Sequence, residues 1–106
     1  MKIYKYELQI IDFSTILMPI GAAILSCQTQ KGAVFIWAMV DPSASLEGRT
    51  FEIIGTGNPI SKLLEGRRRM FVATVQEGGY VWHVFEIVKV DEVTEMIKDI
   101  SKTFGP

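Results

Sequence analysis

Apolar and polar residues alternate along most of this chain with a period of two, the spacing of a β-strand with one covered face. Tyr4, Tyr6, Leu8 and Ile10 stand against Lys5, Glu7 and Gln9 and predict a first strand with one wet side. Ile16-Leu17-Met18 predicts a short strand stopped at Pro19, which offers no N–H to a ladder. Asp12-Phe13-Ser14 and Gly21-Ala22 read as the turns around it. From Ile24 to Lys31, Leu25, Cys27 and Thr29 alternate with Ser26, Gln28 and Gln30, and Lys31-Gly32 is a hairpin candidate.

Two segments depart from this rule by being apolar on both sides. Val34 to Val40 is one. The other starts after Gly78-Gly79, where Tyr80, Trp82 and Val84 point one way and Val81, His83 and Phe85 the other. Such strands need a second layer, a closed barrel or a partner subunit. Between them, Asp41 to Ser45 reads as a loop, Arg49 to Ile54 as a strand ending in Gly55-Thr56-Gly57-Asn58-Pro59, Ile60 to Gly66 as irregular or a turn of helix, and Met70 to Gln76 as a strand. Strands and turns at this spacing predict a mostly β fold, with about six or seven antiparallel strands in a curled sheet, sandwich or open barrel. After Val90 the period changes: Val93, Met96, Ile97, Ile100 and Phe104 recur every three or four residues, behind an Asp91 N-cap. The expected organisation is a β domain over residues 1–90 and a terminal amphipathic helix over 91–106, packed on the same domain or on a partner subunit, in an α+β chain.

At 106 residues the chain has room for one modest core. A net charge of -1 gives no global basic field, so nucleic-acid binding is disfavoured. One cysteine, Cys27, makes no internal disulfide and suits a reducing, cytoplasmic setting. The first residues alternate with charge and lack the apolar core of a signal peptide. The longest apolar run, Gly32 to Val40, is far shorter than the roughly 20 residues of a membrane helix. A soluble protein is expected.

The chemistry-bearing residues are few. His83 is the single histidine, and with one cysteine there is no spaced ligand set for a metal and no visible nucleophile–base pair. No catalytic residue, metal or cofactor is expected. Gly55-Thr56-Gly57 offers amides beside glycines to an anion, without the spacing of a dinucleotide fingerprint or a P-loop. Arg67-Arg68-Arg69 is the one concentrated basic patch; alternation on a strand lets at most two of the three converge. Trp37 and Trp82 fall on the two-sided strands, where a tryptophan is ordinarily core and sometimes lines a cleft. Glu52, Glu77 and Glu86 lie on separate segments and do not declare a pair.

Met1-Lys2-Ile3-Tyr4-Lys5-Tyr6, Ile16 to Ala22, Ile24-Leu25-Ser26, Ile36-Trp37-Ala38, Gly55-Thr56-Gly57 with Pro59, and Val81 to Glu86 occur in that order. In these motifs the chain resembles a family of small proteins, about a hundred residues long, encoded by phages and prophages and of unknown function. The resemblance covers most of residues 1 to 87 and implies an accessory protein acting in the cytoplasm of an infected bacterium. The expectation built on it is a non-catalytic anti-defence protein, a homo-oligomer that sequesters a small anionic ligand such as a nucleotide second messenger. Trp37, Trp82 or His83 would stack on the base, and Arg67, Arg68 or Arg69 with the Gly55, Thr56 and Gly57 amides would hold phosphate. The alternative is an interaction module that inhibits a host protein or joins the virion. Its signature is an exposed apolar patch in place of a polar pocket.

Overall fold

The computed structural model describes residues 1–90. They form seven antiparallel strands: β1 (Lys2–Leu8), β2 (Phe13–Pro19), β3 (Ala23–Gln30), β4 (Ala33–Val40), β5 (Leu46–Gly55), β6 (Arg67–Glu77) and β7 (Tyr80–Lys89). A three-stranded sheet has the order β1-β4-β3 and a four-stranded sheet the order β2-β5-β7-β6. No helix occurs among the described residues, and the expected helix over 91–106 lies outside them.

Both strands that are apolar on two sides sit inside a sheet, β4 between β1 and β3, and β7 between β5 and β6. The two sheets share one core. Leu8, Cys27, Val34, Ile36, Ala38 and Val40 come from the smaller sheet, and Met18, Phe51, Ile53, Val75 and Val84 from the larger. Phe51, Leu8, Met18 and Ile36 are fully enclosed, and each such side chain stabilises the fold by about 1.5–3 kcal/mol.

The turns follow from backbone chemistry. Lys31 and Gly32 have φ of 51° and 82°, and Gly78 and Gly79 have 63° and 78°; these pairs form the two-residue hairpin loops that match strand twist. Pro19 ends β2 at a sheet edge, where its missing donor costs no ladder bond.

Three details differ from the sequence reading. Phe13 and Ser14 belong to β2 and pair with Glu52 and Phe51, so the first turn is over before Phe13. Arg67 to Arg69 are not an approach to a strand but its first three residues. Leu25 does not share a face with Cys27, because the β3–β4 register shifts between Ile24 and Ser26; Cys27 is buried while Leu25 is 51% exposed. An extra residue of this kind is invisible to a period-two pattern.

The edge strands β3 and β6 run close together where the two sheets meet, without joining into one sheet. The β6–β7 register also shifts, between Phe71 and Ala73. Leu25 on β3 and Met70, Phe71 and Val72 on β6 thus line a shared crevice of about 220 Å³.

Candidate functional site

The larger sheet positions an Arg–Glu pair on each of its faces. On the inner face, Arg49 of β5 donates through Nε and Nη2 to the Glu86 carboxylate of β7, at 2.5 and 2.9 Å, and through Nη1 to the Ala22 carbonyl at 2.6 Å. On the outer face, Arg69 donates through Nε and Nη2 to Glu52, at 2.5 and 3.0 Å, and through Nη2 to the Ser61 carbonyl at 2.6 Å. Register explains the placement: Phe51 faces Glu86 and Glu52 faces Phe85, so the two glutamates project to opposite sides of the sheet. Glu52 is only 2% exposed although it faces away from the shared core, because Arg69 and the 56–66 loop cover it. The hydrogen bonds to Glu52 raise the Arg69 pKa above its ordinary value.

These contacts decide what the arginine triplet can do. Arg69 is held by a carboxylate and a carbonyl. Arg68 pairs with Val88 and projects to the opposite face from Arg67 and Arg69. Arg67, opposite Lys89, lines a polar cavity of about 440 Å³ with Glu47, Arg49, Glu86 and Lys89. Trp82 lies opposite Val75 on β6, six residues along from Arg69, or about 20 Å at strand rise. Trp37 is on the other sheet, where the Lys5 ammonium lies 4.0 Å from the Phe35 ring centre and 5.6 Å from that of Trp37. The residues expected to grip a base and a phosphate together therefore divide into three separate places on one chain.

One group of them does assemble. Gly55, Thr56 and Trp82 line a cleft of about 360 Å³ with Asn58, Gly79, Tyr80 and Val81, while Gly57, with a φ of 87°, is not among the lining residues. The Asn58 amide donates to the Gly55 carbonyl at 3.0 Å and the Thr56 amide to the Val81 carbonyl at 3.1 Å, which ties the turn to β7. A Cβ on Gly55 would lie 2.8 Å from Asn58 Nδ2 and 3.1 Å from Trp82 Cζ3, so the bare glycine leaves room for both side chains. Tyr80 is 66% exposed and tilts over Trp82 at 5.5 Å between ring centres. The indole N–H donates to the Glu77 carbonyl at 3.1 Å, so Trp82 turns ring surface to the cleft and not its donor.

His83 is on the opposite face of β7 and bridges Thr56 Oγ1, 2.8 Å from Nε2, and Thr74 Oγ1, 3.0 Å from Nδ1. A neutral imidazole donates at one nitrogen and accepts at the other, and the two hydroxyls supply the complement. The Thr56 contact has the length of a nucleophile–base hydrogen bond, but Thr74 carries no charge to stabilise an imidazolium. The ring is a brace that joins the 56–66 loop, β6 and β7. Among the described residues no group of three His, Cys, Asp or Glu side chains could hold a metal ion.

Apolar exposure is more extensive than these polar clusters. Leu25 is 51% exposed, Met70 49% and Phe71 62%, all on the crevice between β3 and β6. Phe71 meets Phe85 edge to face at 5.7 Å, so its ring is supported from behind. The triplet, the glycines and the tryptophans are visible as residue types, but this seam depends on two bulges and leaves no local signature.

Set beside known proteins, residues 1–94 match a family model described as a domain of unknown function, DUF7352. No curated protein and no solved structure matches the chain.

Proposed function

The chain belongs to the DUF7352 family, a domain of unknown function, and on that premise we propose that it is a non-catalytic interaction module that grips a partner protein through the seam between its two sheets. The observation that carries this reading is the exposure of Leu25, Met70 and Phe71 around one crevice on rigid strands. A crevice of about 220 Å³ accepts one or two apolar side chains, the form a binding hot spot takes. The partner is a protein that offers an aromatic or branched aliphatic anchor. Sequestration of an anionic messenger is the weaker reading, because Arg69 is neutralised by Glu52 and Trp82 stands far from Arg67 along β6.

The resemblance to small phage and prophage proteins supports a setting in the bacterial cytoplasm during infection, with a host defence or virion component as the partner. Among the described residues no helix is long and apolar enough to cross a membrane. A second copy of the chain is the simplest partner to look for first, and light scattering reports it directly.

The test is affinity capture from infected and uninfected host lysate, with wild type and Phe71→Asp as baits of matched thermal stability. One protein retained by wild type and lost by the variant supports the proposal. Equal retention by both baits, or no partner in either lysate and a monomer in solution, overturns it.

A further inference from the structure

The Trp82 cleft shares no lining residue with the seam and carries its own chemistry. We infer that it binds an uncharged nucleobase, adenine by its hydrogen-bonding pattern, stacked on Tyr80 and Trp82 and read at its edge by the Asn58 carboxamide.

Four observations carry this. The cleft volume, about 360 Å³, lies in the small-ligand range of about 300–1,000 Å³. Its aromatic pair is tilted at 41° with one ring largely in water, and an aromatic surface of this kind stacks a base of any sequence. Asn58 makes no side-chain hydrogen bond among the described residues, and its carboxamide and the indole both border the space above the bare Gly55 Cα. A carboxamide donates to N7 and accepts from N6 of adenine at once, the bidentate match that asparagine makes in nucleic-acid recognition. Finally, among the described residues no Lys, Arg, Asp or Glu side chain lines the cleft, so it presents no charged group to a phosphate. His83 contributes from the far side of the strand by fixing Thr56, and it does not touch the ligand.

The ligand is the base itself, whether of a free nucleoside or of a single-stranded nucleic acid. The experiment titrates adenosine, AMP, uridine and an oligo-deoxyadenylate into full-length Trp37→Phe protein and follows the fluorescence of Trp82. Quenching by adenosine and AMP with equal affinity, and weaker quenching by uridine, is the expected result. Asn58→Ala reduces the adenosine affinity about tenfold, the loss of one good bidentate contact. Arg67→Ala leaves it unchanged. Quenching by the oligonucleotide with none by adenosine assigns the site to single strands and keeps the base as ligand. Binding that requires the phosphate, binding indifferent to Asn58→Ala in a folded variant, or no quenching by any of the four overturns the inference.

Discussion

Replacing Arg69 by methionine removes the cation from a carboxylate that remains buried, which makes it the sharpest test of how the larger sheet is held. Glu52 is 2% exposed, and its pair with Arg69 is closed by two hydrogen bonds, while the same guanidinium fixes the 56–66 loop through Ser61. Breaking a buried pair from one side costs about 3–5 kcal/mol, because the stranded charge loses its partner and does not regain water. The Arg69 side chain keeps 19% exposure, which places this case near the lower end, at about 3 kcal/mol. For a domain of this size that corresponds to a fall in Tm of roughly 12–24 °C.

Glu52→Gln costs less, about 1 kcal/mol, since Arg69 retains the Ser61 carbonyl and partial hydration. In the double variant Arg69→Met with Glu52→Gln, the stranded charge is gone and at least about 1 kcal/mol of the loss returns. Urea denaturation of the four proteins, with limited proteolysis of the loop as a second readout, measures the cycle. If Arg69→Met is no worse than Glu52→Gln, or if the two effects add, then the pair does not hold the outer face and the reasoning fails.

Two further outcomes follow from packing and burial. Gly55→Ala places a methyl 3.1 Å from Cζ3 of Trp82, whose indole is fixed by its bond to Glu77, and is expected to destabilise by about 1 kcal/mol and to shift Trp82 emission, checked by denaturation followed by fluorescence. Cys27 is 6% exposed and burial pushes its thiol pKa up to about 11, so it should resist a thiol reagent at about pH 8 until urea unfolds the chain. The sign of its pH dependence is set by that upward shift. Above the ordinary thiol value the unfolded chain releases a proton that the folded one keeps, so stability falls from about pH 9 to about pH 11. Cys27→Val should lose that part of the slope in paired melts, and an unchanged slope would count against a buried neutral thiol.

Much of the fold was legible because burial acts locally on alternate residues. Val34 to Val40 and Tyr80 to Phe85 read as apolar on both sides, and each lies in the inner strand of a sheet. The turns at Lys31-Gly32 and Gly78-Gly79 were legible because positive φ selects glycine. What the pattern concealed is what depends on pairing across the chain. The partition of strands between two sheets, the bulges at Leu25 and Val72, and the meeting of Arg49 with Glu86 and Arg69 with Glu52 are register facts, separated by 37 and 17 positions in the ion pairs. The candidate site was legible in part for the same reason. Gly55, Thr56 and Trp82 meet because β5 pairs with β7, whereas the arginines start the far end of β6. In the sequence Asn58 reads as one more turn residue, and its place beside Gly55 depends on how the turn folds back.

The paired irregularities in β3 and β6 have one more effect, on what the molecule avoids. Both are border strands that face each other across the seam, and border strands left uncovered invite sister molecules to zip on and grow fibres. A single surplus residue within each border, Leu25 in β3 and Val72 in β6, throws any incoming strand out of step after a few rungs. The chain can therefore leave greasy side chains in water without becoming the seed of its own precipitate.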